Sequence, residues 1–182
     1  MNPSLPPPSA LSDPSLTPSD ITNALDLLFE PSPTLHALTL PITQAASPPF
    51  ATYADLIGAV EAQLKALAAN GDTQQLDSIL GSHPRLGEKK VDSALSRKEQ
   101  AAMGHDADQA NDFAALNAMY EQKFPGLRFV TFVNARPRNI VADELKSRVE
   151  RGDMAAERIA AIEAMCAIAN DRARKLAGPA LS

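Results

Sequence analysis

His83 is the side chain with the best setting for proton transfer, because it lies in the segment Ser82-His83-Pro84-Arg85-Leu86-Gly87. A proline fixes its own φ angle and disfavours a helical conformation in the residue before it, so the backbone presents this imidazole rigidly. An imidazole with an ordinary pKa of about 6.5 can take up and return a proton at neutral pH. The motif is compatible with a general acid–base residue and with a surface histidine in a turn.

The segment Ser96-Arg97-Lys98-Glu99 has the spacing of a capping box, in which the serine and glutamate side chains bond each other's backbone N–H groups at a helix start. A helix start also offers unpaired N–H groups and positive potential, which suit an anionic ligand. The pattern therefore predicts a helix cap, a ligand site or both. Because Glu99 and Gln100 are adjacent, they point in different directions around the helix, and we expect only one to face a given pocket.

Residues 128–134, Arg-Phe-Val-Thr-Phe-Val-Asn, form the one stretch with clear β composition. An extended segment beside a pocket can offer backbone N–H and C=O groups to a planar, amide-rich ligand, and Arg136 and Arg138 are placed to pair with that ligand's carboxylate. The alternative is a buried core strand followed by solvated arginines. No other segment is suited to pair with it, so a sheet is not predicted.

Two features near the end of the chain have simpler interpretations. Cys166 lies among Ala164, Met165, Ala167 and Ile168, which is typical of a packed helical face and not of a nucleophile. The basic residues that follow are expected to form a solvated helix end that meets the helix dipole favourably: Arg172, Arg174 and Lys175.

Several kinds of site are excluded by what the chain lacks. There is no Gly-x-Gly-x-x-Gly, no Walker-type phosphate loop and no Gly-x-Ser-x-Gly elbow. His36, His83 and His105 are not spaced as a zinc pair, and a single cysteine rules out a thiolate cluster or an intrachain disulfide. We therefore expect no metal site. The net charge of −5 argues against a nucleic-acid partner.

Elements that can position these residues follow from the apolar pattern. The chain is 45% hydrophobic but only 4% aromatic, which indicates a core of Leu, Ile, Val and Ala. Apolar residues recur at helical spacing, and Thr17-Pro18 and Gly152-Asp153 have the composition of a helix start and a helix break. We predict an all-α fold, a single compact domain of about 7–9 helices over residues 18–178, after a disordered Pro/Ser-rich tail over residues 1–17.

The sequence also carries expectations about compartment. No run reaches the roughly 18 apolar residues that a membrane span needs, so we expect no membrane association. The first thirty residues lack a secretory pattern, and Ala180-Leu181-Ser182 is not a Ser-Lys-Leu type of peroxisomal address. A cytoplasmic or peroxisomal protein, not a secreted one, is expected.

Taken in order, these motifs resemble the 2-oxo-4-hydroxy-4-carboxy-5-ureidoimidazoline (OHCU) decarboxylases. No one motif is specific, but the ordered set is, and the similarity covers roughly residues 20–176. The segments that carry it are Leu28-Phe29-Glu30-x-Ser32-Pro33, His83-Pro84, Ser96-x-x-Glu99-Gln100, Leu116-Asn117-x-x-Tyr120-x-x-Lys123-Phe124, Phe129-Val130-Thr131-Phe132-Val133-Asn134-Ala135-Arg136 and Glu157-x-x-x-x-Ala161-Ile162.

The resemblance implies a cofactor-independent carboxy-lyase of urate degradation, all-helical and often homodimeric, which converts OHCU to (S)-allantoin. His83 and Glu99 would be its catalytic residues, and the small-molecule ureide substrate would be bound by Pro84, Ser96, Gln100, Phe129, Val130, Thr131, Phe132, Val133 and Arg136.

The chain departs from the family pattern at a few positions. Thr34 stands where members often have Trp, and Ala135 stands where many have Gly; Arg85 and the short spacing from Pro84 to Ser96 differ from animal-type members. Two alternatives stay open. A non-catalytic helical interaction module predicts that His83 and Glu99 lie far apart or on the open surface, and a hydrolase of cyclic ureides predicts activity on substrates without a carboxylate.

Overall fold

A computed structural model of the chain describes residues 4–87, 94–101 and 107–176. Across these ranges the regular structure is helical throughout, as predicted. A short 3-10 helix, Pro8–Ser12, precedes the α-helices α1 (Pro18–Leu28), α2 (Pro33–Gln44), α3 (Tyr53–Asn70), α4 (Thr73–Leu80), α5 (Ala94–Ala101), α6 (Ala107–Lys123), α7 (Arg138–Arg151) and α8 (Met154–Leu176). His105 lies outside the described residues, and so do two places where the sequence predicts that a helix ends, Gly104 and Gly178-Pro179.

Local sequence signals set the ends of several helices. Thr17 caps α1 by accepting a hydrogen bond from the N–H of Asp20, whose carboxylate accepts one from the N–H of Thr17 in return, and Pro18 occupies the first helical position. The same reciprocal pair, Thr52 and Asp55, begins α3. Gly152 ends α7 in the left-handed conformation, with φ of 63°. The predicted helix start at Thr17-Pro18 and the predicted break at Gly152-Asp153 are confirmed.

The longest helix, α8, lies at the centre of the packing. It packs most extensively on α3 and also contacts α1 and α4, while α6 packs on α7. The buried face of α8 repeats at Ala161, Met165, Ala169 and Ala173, so small side chains let neighbouring helices approach closely. Cys166 is buried on this helix, as the composition around it predicts, and burial raises its pKa to about 12. None of the described helices combines the length and apolar character that a membrane span requires.

The segment before α1 makes specific contacts in the structure. Leu11 is buried in the core, the Ser12 hydroxyl donates to the carbonyl of Thr43 at 2.9 Å, and the Tyr53 hydroxyl donates to the carbonyl of Pro6 at 2.7 Å. These contacts dock part of the segment against α2 and α3. The mobility of residues 1–17 and the boundary at residue 18 stay predictions.

Residues 127–133 are extended but belong to no strand within the described part of the chain. The segment crosses the molecule between α6 and α7, and Leu127, Phe129, Val130 and Val133 are buried. Its β-like composition therefore reflects burial of apolar side chains, including the adjacent Phe129 and Val130. Arginine side chains, not a neighbouring strand, bind its carbonyl groups.

Candidate functional site

A cavity of about 190 Å³ opens where α5, α8, the loop after α4 and the extended segment meet. Ten of the eleven residues predicted for the site line it, and Arg136 does not. The remaining lining residues come from the loop after α4, from the C-terminal end of the extended segment and from α8. The full lining is His83, Pro84, Leu86, Ser96, Glu99, Gln100, Phe129, Val130, Thr131, Phe132, Val133, Asn134, Ala135, Ile168, Asp171, Arg172 and Lys175.

His83 is buried in the cavity wall, with 5% of its surface exposed. The guanidinium of Arg128 donates to its carbonyl oxygen at 2.8 Å, which fixes the loop backbone. Its ring Nε2 has no hydrogen-bond partner among the described residues. Burial lowers the pKa of His83 to about 4; the charge of Glu30 opposes this, and the charges of Arg172 and Arg128 add to it. The lowered pKa keeps the imidazole neutral at physiological pH, and the residue lines the cavity.

Arg172 is the centre of a buried charge cluster behind His83. Only 2% of the residue is exposed. Its guanidinium binds both carboxylate oxygens of Glu99 at 2.8 Å, and it also donates to Glu30 and to the Ser96 hydroxyl, each at 2.8 Å. Burial alone would lower the pKa of Arg172, but its hydrogen bonds and the charges of Glu99 and Glu30 outweigh that effect and raise it. The cluster holds two carboxylates against one cation.

The capping-box interpretation of Ser96 and Glu99 is wrong. Helix α5 begins at Ala94, so Ser96 lies inside its first turn. The Ser96 hydroxyl donates to Glu30 at 2.5 Å, and both oxygens of Glu99 are engaged by Arg172. A distant buried arginine competes better for these side chains than the local N–H groups do, because charge-assisted bidentate pairs are stronger than neutral caps.

Gln100 shares the cavity wall with Glu99, so the expectation that only one of the two would face a pocket is wrong. The side-chain oxygen of Gln100 accepts from the N–H of Gly87 at 2.9 Å, and its amide nitrogen donates to the carbonyl of Arg85 at 3.2 Å. This amide ties α5 to the loop that carries His83. The cavity wraps around the side of the helix, so adjacent positions both reach it.

The extended segment turns sharply at the cavity. Asn134 and Ala135 have φ angles of 43° and 57°, in the left-handed region that a residue with a Cβ rarely adopts. The N–H of Arg136 donates back to the carbonyl of Val133 at 2.8 Å and closes the turn. Among the described residues, no protein group accepts a hydrogen bond from the backbone N–H groups of Phe129 to Ala135. Those donors are available to a ligand.

Arg136 and Arg138, which the sequence places to pair with a ligand's carboxylate, make other contacts in the structure. Arg136 lies behind the extended segment and bonds Glu144, Thr131 and two backbone carbonyls. The guanidinium of Arg138 lies over the ring of Phe113, 5.0 Å from its centroid. Neither lines the cavity.

Sequence reasoning missed the role of Arg172, which is buried and not part of a solvated helix end. A signal for it exists: Ile162, Met165, Ala169 and Arg172 follow a 3-4-3 spacing, which places the arginine on the buried face of α8. Lys175 and Asp171, one helical turn apart, pair at 2.5 Å on the cavity wall. Glu30, quoted in the first family motif without a role, is 4% exposed and belongs to the same cluster.

Within the described ranges, no group of three or more His, Cys, Asp or Glu side chains is arranged to hold a metal ion. The absence of a metal or cofactor stays a prediction. The geometry does not support the interaction-module alternative, which expects His83 and Glu99 to be separated or openly exposed, because one cavity brings both together.

Comparison with known proteins adds to this geometry. The model of a family described as OHCU decarboxylase matches residues 14–174. The chain is 29% identical over 133 residues to the "Uric acid degradation bifunctional protein PucL" of Bacillus subtilis (strain 168). That alignment covers 71% of this chain and 25% of PucL, so the chain spans about a quarter of its relative's length.

Proposed function

We propose, since the chain belongs to the OHCU decarboxylase family, that it converts OHCU to (S)-allantoin in urate degradation, as a carboxy-lyase. The observation that carries this proposal is the cavity. One small space joins a buried neutral imidazole, a carboxylate paired with a buried guanidinium, and backbone amides that have no partner within the described part of the chain. These groups complement a small, planar, anionic ureide.

The chemistry follows from the substrate's own groups. OHCU has a hydroxyl and a carboxylate on ring carbon 4, and carbon 5 carries the ureido group. As CO₂ leaves, the electron pair of the broken bond moves between carbons 4 and 5, and the ring C=N electrons move onto nitrogen. The hydroxyl then loses a proton, while carbon 5 and the ring nitrogen each gain one, so the reaction takes up one net proton from water. The substrate is its own electron sink, and the face on which carbon 5 is protonated sets the product's chirality.

His83 is proposed to carry the proton for carbon 5. A neutral imidazole can accept a proton from the hydroxyl side and return it to one face of the ring, whereas an imidazolium could only donate first. The lowered pKa of His83, about 4, keeps the ring in the accepting form. Pro84 and the bond from Arg128 to the His83 carbonyl hold the imidazole in one place.

Glu99 is proposed to orient the hydroxyl and to stand beside the departing carboxylate. Two like charges held close repel each other, and loss of CO₂ relieves that repulsion. Arg172 fixes both oxygens of Glu99, so the glutamate cannot swing away from the incoming anion. Arg172 also offsets part of the charge that the substrate brings into a buried site.

A direct assay uses freshly prepared urate-oxidation product with the hydrolase that precedes this step, and follows allantoin by circular dichroism. We expect optically active allantoin to form faster than in the enzyme-free blank. A rate equal to the blank contradicts the proposed function. Activity on cyclic ureides that lack a carboxylate would favour the hydrolase alternative instead.

The site is tested separately with His83→Gln and Glu99→Gln, against His36→Gln as a matched control. The His36 ring bonds Asp26 at 2.6 Å and does not line the cavity. We expect the first two variants to lose at least about 100-fold in kcat/KM, typical for a proton-transfer group, and the control to keep wild-type values. Folded His83 and Glu99 variants with full activity would refute these roles.

The proposal extends to assembly and compartment. A homodimer is proposed from the family resemblance, and sedimentation equilibrium of the purified chain tests it: the mass of a single chain would contradict a dimer. A cytoplasmic or peroxisomal location is proposed from the family resemblance, and imaging of a tagged chain in its own cells tests it.

A further inference from the structure

We propose that Arg136, Arg148 and Glu144 form a positioning frame, a set of side chains outside the cavity that orients the backbone N–H groups of the extended segment toward the substrate. This inference rests on the proposed function, because it assigns those N–H groups to the ureide. Arg136 would then act on the substrate through the backbone N–H groups, without touching it.

Arg136 holds one half of the segment. Its Nη2 donates to the Thr131 hydroxyl at 2.6 Å and to the carbonyl of Phe132 at 2.7 Å, and its Nε donates to the carbonyl of Val133 at 3.2 Å. A planar guanidinium can hold several acceptors in fixed directions at once, which a lysine ammonium on a flexible stem cannot. Two consecutive peptide groups are therefore fixed by one side chain.

Arg148 holds the other half. Its Nη1 donates to the carbonyl of Val130 at 3.1 Å, and its guanidinium lies 5.0 Å from the centre of the Phe129 ring. The same Nη1 bonds the fully buried Glu157 at 3.1 Å. The arginine is thus anchored to α8 before it reaches the segment.

Glu144 joins the two arginines. It accepts from Nη1 of Arg136 at 2.8 Å and from Nη2 of Arg148, and the Thr131 hydroxyl lies 3.0 and 3.1 Å from its two oxygens. Burial alone would raise the pKa of Glu144, but the hydrogen bond from Arg136 and the charge of Arg148 outweigh it and lower the pKa. The carboxylate therefore stays charged and couples the two halves.

Because the peptide group is planar, arginines that hold the carbonyl groups also orient the N–H groups that can bind a ligand. In a trans peptide the N–H points opposite to the C=O of the preceding residue. Fixing the carbonyls of Val130, Phe132 and Val133 therefore fixes the N–H groups of Thr131, Val133 and Asn134. Neither arginine lines the cavity, whereas Thr131, Val133 and Asn134 all do, so we infer that these N–H groups are directed toward the ligand.

The test compares Arg136→Lys and Glu144→Gln with a matched control, Asp77→Asn. Asp77 and Arg158 form a bidentate ion pair at 2.8 Å, and their side chains are 19% and 16% exposed. Neither residue lines the cavity. For the two frame variants we expect KM to rise about tenfold, kcat to change less, and the enantiomeric excess of allantoin to fall. The control should lose comparable stability and keep KM and enantiomeric excess.

A second readout does not depend on turnover. In the amide ¹H–¹⁵N spectrum of the ligand-free protein, we expect Arg136→Lys to shift the signals of Thr131, Val133 and Asn134, and Asp77→Asn to leave them in place. Wild-type turnover tests the proposed function, whereas the variant-to-wild-type differences test the frame. Unchanged KM and unchanged amide signals in both frame variants would overturn it, and so would equal losses in the control.

Discussion

Two buried charge clusters, both involving α8, differ in what they do. The first surrounds Arg172 with Glu30, Glu99 and Ser96, and it lines the cavity. The second surrounds Glu157, which is fully buried and accepts from Arg148, Arg151 and the Tyr120 hydroxyl, and it lies outside the cavity lining.

The clusters have opposite charge balance. The first sets two carboxylates around one arginine, and the second sets two arginines and a hydroxyl around one carboxylate. Burial and the hydrogen bond with Glu157 raise the pKa of Tyr120, so this hydroxyl stays a donor. We therefore expect the first cluster to act in the reaction and the second to stabilise the fold around the site. Four changes test this difference between the clusters and the site around them.

The largest effect is expected from Arg172→Met. Removing the guanidinium leaves two carboxylates and a serine without their shared donor, so the free energy of unfolding should fall by about 3–5 kcal/mol and activity should be lost. Urea denaturation and the allantoin assay measure the two effects. The double variant Arg172→Met/Glu30→Gln should regain part of the stability and none of the activity; regained activity would contradict a chemical role for this cluster.

Glu157→Gln should be nearly as destabilising, by about 3 kcal/mol, because it leaves Arg148 and Arg151 without a buried counter-charge. The expected contrast is in kinetics. The folded fraction should keep a kcat within a few-fold of wild type and show a raised KM, since Arg148 also holds the carbonyl of Val130. A loss of kcat as complete as that of Arg172→Met would erase the proposed difference between the clusters.

A third effect concerns His83 and pH. The folded pKa is about 4 and the unfolded value about 6.5, so the unfolded state binds the proton first as the pH falls. The stability from burying the neutral ring is fully present above pH 6.5 and is lost as the pH falls from there to 4, with about 2 kcal/mol lost by pH 5.

Denaturation of wild type and His83→Gln from pH 8 to pH 4.5 measures this loss. The two stability curves should converge on the acid side, and curves that stay parallel would show that His83 titrates normally. The kcat/KM profile, which reports the free enzyme, should have no acid limb from this residue near pH 6.5.

The smallest effect is expected at the turn that borders the cavity. Ala135 has a φ of 57°, so Ala135→Gly removes a strained Cβ and raises unfolded-state entropy, for a net gain of about 0.5 kcal/mol. A thermal melt should show a slightly higher midpoint. A clear loss of stability would mean that the Ala135 methyl group contributes more by packing than it costs in strain.

The helices and most of the residues that line the cavity can be predicted from the sequence. Thr17, Thr52 and Gly152 set helix ends through bonds within one turn of the chain, and such local chemistry can be read directly. The family motifs named His83 and Glu99 without any structure. The helix cap predicted at Ser96 is wrong, because its side chain bonds residues 66 and 76 positions away.

The pairing of the buried charges depends on how the helices pack. Glu99 and Arg172 are 73 residues apart, and Arg136 binds carbonyl groups of the extended segment instead of lining the cavity. Burial makes an unpaired charge so costly that each buried ion binds whichever counter-ion the packing brings near, and chain distance has no influence on that choice. The residue types can be read from the sequence, but their partners depend on how the helices pack.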